Sequence, residues 1–347
     1  MAGEACGPAW SRAAPVAVLT DVTRERFEAE IVPAGRPCVL RGLVRDWPIT
    51  RAAARSDQAL ADYLNAFPAQ NTVRAWFGAP EIDGRFSYSD DLRGFNHERR
   101  VLSLTELLTY MLQAKDDPAA HVAYAGGVPI GATVPDLLPA LPMPLLEAGR
   151  EMLVSLWLGG RSRTAAHWDL PQNLACVVAG RRRFTLLPTE QVANLYVGPM
   201  DFTLAGQPIS LVDFAAPDLE RFPRFADAMD AALVAELEPG DALYMPSLWW
   251  HHVEALDGFG AMVNFWWRDG PSYLMTPLLT LFHALLTLRE LPDAERVAWR
   301  AMFDHYVFGA NGDPMAHLPQ EARGLFGPMT PELQQHLKAL LAAPLTR

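Results

Sequence analysis

Lysine is nearly missing from this chain. Only Lys115 and Lys338 carry an ammonium, and arginine supplies the rest of the 29 basic residues. Set against 40 acidic residues, they leave a formal charge of -11. An average field of that sign repels a phosphate backbone, so no nucleic acid is expected as a generic partner, although a local basic patch is compatible with it. Cysteine is scarce too. Cys6, Cys38 and Cys176 are odd in number, widely spaced and free of any CxxC pair. That excludes a disulfide framework and fits free thiols in a reducing compartment. Long apolar runs are absent: the most apolar stretch, 273–288, is interrupted by Pro277 and His283 and falls short of the ~20 residues a membrane span needs. The first ten residues, MAGEACGPAW, lack a basic segment followed by an apolar one, so no signal peptide is expected. A cytoplasmic protein with no membrane association follows as the default. No internal repeat and no low-complexity tract is found, and 24 glycines and 29 prolines are ordinary usage.

What the chain does have is apolar residues in half its 347 positions, ample for a sizeable core. Residues 17–32 predict a short strand and a helix capped near Asp21 or Thr23. RPCVLRGLVRDWP, residues 36–48, contains a buried strand by its apolar run between Pro37 and Gly42. A helix is expected over 55–66, a strand over 72–77, a helix over 103–113 and a strand over 121–125. The Pro-rich segment 131–149 predicts a loop with short helical turns. From 151 to 268 the pattern changes to short strands separated by turns, with one helical segment at 222–236. Helices return at 273–290, 293–307 and 331–342. Many short strands at regular spacing argue for a sandwich or barrel. The fold class expected is mainly β with flanking helices. Its C-terminal helices, rich in Leu278, Leu279, Leu281, Phe282, Leu285 and Leu286, either pack on the barrel or form a homodimer interface.

The chemistry begins at Thr164-Ala-Ala-His167-Trp-Asp169. Residues i and i+2 of an extended segment point to one side, so His167 and Asp169 can aim an imidazole nitrogen and a carboxylate at one point. A third ligand is available about eighty residues later in PSLWWHHVEAL, after a Pro-Gly-Asp turn and a strand. His251 and His252 are adjacent and face opposite ways, so only one of them can bind. Two histidines and one carboxylate leave open positions on an octahedral ion, the facial arrangement of non-haem Fe(II) oxygenases. A lone HxD is a weak signal and is more often a polar turn. Here it precedes the strand–turn–strand unit NLACVVAGRRRFTLLP, and a histidine follows in a β-rich context.

Taken together these motifs resemble the cupin-like JmjC hydroxylases, a group that includes the asparaginyl hydroxylase inhibiting hypoxia-inducible factor. RPCVLRGLVRDWP resembles the family's N-terminal strand. SLWLGGRSRTAAHWDLPQNLACVVAGRRRFTLLP resembles its first iron motif, and ALYMPSLWWHHVEAL with MVNFWW its second. WRAMFDHYVF, residues 299–308, resembles a helix of bacterial members. The resemblance implies a double-stranded β-helix (jelly-roll, or cupin) core over 121–270. An α/β elaboration would precede it over 1–120, and helices would follow over 271–347.

It further implies Fe(II) held by His167, Asp169 and His251, with 2-oxoglutarate as co-substrate and O2 as oxidant. Thr164 and Tyr124 would reach the distal carboxylate of the co-substrate. Asn173 and Asn264 would lie near it, and Trp266 would flank the pocket. One departure stands out: the family often places a lysine where this chain has Arg182, within Arg181-Arg182-Arg183. Alternation separates Arg182 from its two neighbours, and a guanidinium can pair bidentately with a carboxylate. The plain alternative for the triplet is a solvated strand end.

The activity implied is hydroxylation of a C–H bond, with release of succinate and CO2, on a protein or peptide side chain. Trp76, Phe77, Phe86, Tyr88 and Phe95 precede the barrel and either line a peptide groove or pack as a wall. Two other readings compete: a metal-binding cupin of non-oxygenase chemistry, and a catalytically inert JmjC-like interaction protein.

Overall fold

The computed structural model describes residues 7–345, and Cys6 lies outside them. The chain divides into two compact units, 1–268 and 269–347. Two sheets dominate the first. One has six strands, in the order Ala14–Pro15, Leu233–Leu237, Arg182–Leu187, Trp250–Ala255, Arg163–His167 and Arg85–Phe86. The other has nine: Ala17–Leu19, Cys38–Leu40, Ala242–Met245, Gln172–Ala179, Gly260–Trp267, Leu153–Gly159, Val122–Pro129, Val73–Gly78 and Glu98–Leu102. From Leu153 onward the chain passes back and forth, giving four strands to each sheet. The strands 153–159, 172–179, 242–245 and 260–267 enter the large sheet, and 163–167, 182–187, 233–237 and 250–255 the small one. This crossing pattern is a double-stranded β-helix, as expected from the sequence.

Side-chain alternation decides what each sheet face holds. Between the sheets, Ala175, Val177, Leu243, Met245 and Met262 meet Phe184, Leu186, Ala235 and Leu237. The opposite face of the large sheet shows Leu174, Cys176, Val178, Tyr244, Val263, Phe265 and Trp267. Phe27, Ile49, Leu60, Leu104, Leu107 and Leu108 from the N-terminal elements cover it. The strand Gln172–Ala179 is therefore buried on both faces, which is why it shows a continuous apolar run instead of alternation. The covering helix Leu104–Ala114 begins in a capping box. Ser103 Oγ accepts from Glu106 N–H, and the Glu106 carboxylate accepts from Ser103 N–H. Ser56 caps the helix Asp57–Asn65, and Thr23 caps the first turn after the strand Ala17–Leu19.

One expected element differs. The helix predicted over 222–236 is a six-residue helix, Phe225–Asp230, followed by the strand Leu233–Leu237. Ala235 and Leu237 alternate into the inter-sheet core and Glu236 points out to Arg183, so burial on the sheet outweighs local helix preference.

The Pro239-Gly240-Asp241 turn anchors this part of the barrel. The buried Asp241 carboxylate accepts hydrogen bonds from the N–H of Gly42, the N–H of Glu238 and the guanidinium of Arg41. Asp241→Ala strands two backbone donors and a cation at once. We expect it to destabilise the fold by about 3 kcal/mol. In urea this would read as a lower unfolding midpoint with an unchanged m-value.

Candidate active site

The strands Arg163–His167 and Trp250–Ala255 run antiparallel, and His251 lies directly opposite His167. The next pair in register is Val253 with Thr164, so three steps on one strand match two on the other. That is a β-bulge, and it has a large consequence. In a regular strand residues three apart face opposite ways; the extra residue reverses the alternation. Thr164 and His167 both point between the sheets, while Ala166 packs on the outer side with Leu187 and Trp250. His252 also points outward and stacks on Phe214 at 4.8 Å, as alternation from His251 requires.

Asp169 follows the end of the strand and is held from the other side. Leu248 N–H donates to the Asp169 carbonyl at 2.9 Å, and Ser247 Oγ donates to the Leu170 carbonyl at 2.6 Å. Leu248 adopts φ +65°, an unfavourable region for a branched side chain, and the strain is localised in this clamp. The result brings one ligand atom each from His167, Asp169 and His251 within 4.8 Å of one another. His251 Nε2 lies 3.5 Å from Asp169 Oδ2.

The hydrogen bonds fix the ring states. His167 Nδ1 lies 2.9 Å from the Ala165 carbonyl, and His251 Nδ1 lies 3.0 Å from the Trp249 carbonyl. Only a protonated nitrogen can meet a carbonyl, so in each neutral ring Nε2 is the bare acceptor. Burial pushes the His167 imidazole down to about 4, and the charge of His251 adds to this while Asp169 opposes it. Burial also acts to raise the Asp169 carboxyl, but the hydrogen bond with His251 and the two imidazole charges prevail and hold it below the usual carboxylate range. With Nδ1 of each ring turned to a backbone carbonyl, the two Nε2 atoms and the Asp169 carboxylate form a donor set suited to a divalent transition metal, which would take the place of any Nε2 proton.

Deeper between the sheets lies a second polar group. Arg182 is 3% exposed, and neither Nε nor Nη2 has a hydrogen-bond partner among the described residues. Burial lowers its pKa, with the Tyr124 phenol acting the other way. The buried Tyr124 hydroxyl is hydrogen-bonded with Thr164. Desolvation pushes that phenol up; the Thr164 hydrogen bond and the Arg182 charge oppose the rise, and the Asp169 charge adds to it. Tyr124, Thr164 and Arg182 are thus one electrostatically coupled group. The two neighbouring arginines go elsewhere. Arg181 pairs with Asp257, and Arg183 reaches Glu236 at 2.7 Å and Glu254 at 3.4 Å on the outer face of the small sheet.

Asn173, Asn264 and Trp266 share the inner face of the large sheet. Asn264 Nδ2 donates to Asn173 Oδ1 at 3.4 Å, and Trp157 Nε1 donates to Asn264 Oδ1 at 2.6 Å. Trp157 also meets Trp266 edge-on at 5.9 Å. Sequence reasoning missed Trp157, and it missed Ser155, whose buried hydroxyl has no partner among the described residues and sits opposite Asn264. The available signal was the i, i+2 spacing of Ser155 and Trp157 between leucines that face outward. Of the five aromatics before the barrel, Trp76 and Phe86 pack on Tyr124, with His97 against both. Burial pushes His97 down to about 4. Tyr88 and Phe95 stack nearby, whereas Phe77 packs against Tyr110 in the core behind the large sheet. Trp76, Phe86, Tyr88 and Phe95 thus form a packed wall around Tyr124, and Phe77 is no part of it.

Residues 24–273 match the sequence pattern of the cupin-like domain, and the chain belongs to that family. The resemblance to the JmjC group holds. The chain is 25% identical over 249 residues to lysine-specific demethylase 8 of Xenopus tropicalis, covering 70% of this chain and 50% of that protein. It is 26% identical over 266 residues to tRNA wybutosine-synthesizing protein 5 of Danio rerio, covering 74% and 76%. It is 28% identical over 272 residues to the human bifunctional peptidase and (3S)-lysyl hydroxylase JMJD7, covering 70% and 80%. The chain therefore spans half the length of the demethylase it matches. No helix among the described residues is long and apolar enough to cross a membrane.

Proposed function

We propose that this chain is an Fe(II)- and 2-oxoglutarate-dependent oxygenase that hydroxylates a C–H bond of a protein side chain, in the cytoplasm. The observation that carries this reading is the pairing, inside one barrel, of the His167–Asp169–His251 triad and a buried guanidinium whose Nε and Nη2 have no hydrogen-bond partner among the described residues. A buried cation with unmet donors is costly, and a dicarboxylate is the ligand that would satisfy them while reaching toward the triad.

In this reading His167, Asp169 and His251 hold the iron, and their backbone hydrogen bonds keep the rings oriented before metal arrives. Bound iron would supply O2 activation coupled to oxidative decarboxylation of 2-oxoglutarate, one oxygen atom ending in succinate and the other in the hydroxylated product. Arg182 takes the distal carboxylate through its free N–H groups. Tyr124 and Thr164 donate to the same end, and Asn173, Asn264 and Trp266 line the pocket beside it. The inter-sheet core around Phe184 and Leu186 keeps bulk water from the buried end. A protein side chain as substrate is supported by the net charge of -11 and by the similarity to a protein named as a lysyl hydroxylase.

The test needs no substrate. Anaerobic Fe(II) followed by 2-oxoglutarate should give a saturable visible charge-transfer band. Iron that binds without any band would leave a cupin of different chemistry. Thr164→Val removes one hydroxyl donor and should weaken 2-oxoglutarate in this titration by ~5–10-fold, about 1–1.4 kcal/mol, without changing iron affinity.

A further inference from the structure

Trp157 stands in the strand Leu153–Gly159 with its side chain between the sheets, and the neighbouring strand is shaped to seat it. The strand Val122–Pro129 is bulged between Ala125 and Val128, and the bulge falls on Gly126 and Gly127. A Cβ on Gly126 would lie 3.0 Å from both the Trp157 ring and the Tyr124 ring, closer than side chains normally pack. Trp266 meets the indole edge-on at 5.9 Å, and the Tyr124 ring centre lies 6.3 Å away. The ring is therefore held in place by its surroundings.

An indole offers one N–H and no acceptor. The Asn264 atom 2.6 Å from Trp157 Nε1 must therefore be the amide oxygen. That leaves Asn264 Nδ2 turned to Asn173. An amide nitrogen can only donate, so the atom it meets at 3.4 Å is the Asn173 oxygen. Asn173 Nδ2 is then the outer end of the chain. Nothing else nearby sets this polarity. Both asparagines are buried, away from bulk water, and Ser155, directly opposite Asn264, has a hydroxyl without a partner among the described residues. An amide fits its cavity almost equally well when turned by 180°, and the hydrogen-bond network alone chooses between the two orientations.

We propose that Trp157 is a positioning residue whose single N–H fixes the orientation of both asparagine side chains, so that the site receives an N–H donor from Asn173 and never a carbonyl oxygen. This rests on the 2-oxoglutarate reading and names how the end of that ligand nearer the triad is recognised. Asn173 stands at the start of the strand Gln172–Ala179, four residues after Asp169. Arg182 belongs to the other end, since its register partner Ala255 lies four positions beyond His251. The two ends of a dicarboxylate thus have separate donors. An amide N–H gives a carboxylate a charge-assisted hydrogen bond, whereas a carbonyl oxygen in its place repels it.

Trp157→Phe keeps an aromatic ring in the seat and removes the donor. In the anaerobic titration it should weaken 2-oxoglutarate ~5–20-fold and leave Fe(II) affinity, measured without 2-oxoglutarate, at the wild-type value. Oxalate, too short to reach Arg182, should lose the same factor by calorimetry. A loss confined to 2-oxoglutarate would place the effect at the far end and overturn the proposal. A double-mutant cycle shows whether the indole acts through the amides. Asn173→Ala should weaken 2-oxoglutarate, and adding Trp157→Phe should cost nothing more; additive losses would make the ring a plain wall of the pocket. In the protein without metal, the Trp157 indole N–H, assigned by its disappearance in Trp157→Phe, should exchange slowly with solvent, and fast exchange would overturn the hydrogen bond itself. A wild type without the charge-transfer band would remove the 2-oxoglutarate reading and this inference with it. A wild-type band that Trp157→Phe leaves untouched would overturn this inference alone.

Discussion

Asp169→Ala is expected to lose stoichiometric Fe(II) uptake and to turn over 2-oxoglutarate at least ~1,000-fold more slowly, because the charge stabilisation a metal centre supplies amounts to several kcal/mol. The structure makes Asp169 the informative member of the triad. It is the one carboxylate of the described triad, facing both imidazoles, and its backbone is clamped by Leu248 and Ser247 independently of its side chain. The variant should therefore fold. A second readout separates metal loss from misfolding. Wild-type protein should gain about 2.7 kcal/mol of stability at a free Fe(II) concentration a hundred times the dissociation constant, and Asp169→Ala should gain almost none. Full turnover in the variant would remove iron at this site from consideration.

Arg182→Met carries the second large effect, and its two consequences have opposite sign. Affinity for 2-oxoglutarate should fall ~100-fold or more, since charge-assisted hydrogen bonds to the distal carboxylate disappear. Without co-substrate, however, the variant should be more stable than wild type, by about 1–3 kcal/mol. A buried guanidinium with unpartnered Nε and Nη2 is replaced by an apolar side chain of similar length. Thermal denaturation with and without 2-oxoglutarate reads both. Wild type should be strongly stabilised by the ligand and the variant hardly at all. If Arg182→Met proved less stable than wild type in the absence of ligand, the guanidinium would be a structural element of the barrel, and the assignment of the distal carboxylate would fall with it. Arg182→Lys keeps the charge but not the planar fork, so an intermediate affinity is expected.

Much of this site was legible in the residues. His167 and Asp169 could be paired because alternation of an extended segment needs no tertiary information. The choice between His251 and His252 became a question of face, and the structure places His252 outward against Phe214. Fold class was legible for a similar reason: short apolar runs at 153–159, 172–179, 182–187 and 260–267 are bounded by glycine or proline turns. Thr164 was different. Its spacing of three from His167 points it the wrong way in a regular strand, and only the resemblance named it; the bulge depends on register with Trp250–Ala255, which is a long-range property. Tyr124 meets Thr164 across some forty residues of sequence, and Ser155 and Trp157 were hidden in a run whose outer face is leucine. The strand Leu233–Leu237 is not legible locally, because Val234, Ala235, Glu236 and Leu237 carry no helix breaker and the sheet that recruits them is a long-range partner.

The bulge beside the metal ligands also sets how such a barrel responds to insertions and deletions. It decouples the phase of the chain before it from the phase after it. Removing Ala165 or Ala166 would delete the extra residue, leave Thr164 two positions from His167 and, by strict alternation, keep both facing the interior, while the His167–Asp169 pair, lying beyond the deletion and tied to the opposing turn, would keep its aim. A deletion of one residue would thereby preserve both halves of a two-part site, whereas removing both alanines would set Thr164 beside His167, turn it to the outside and discard one half. Point substitution at Thr164 changes one hydroxyl; the parity of a change of length at this spot decides which side chains belong to the interior at all.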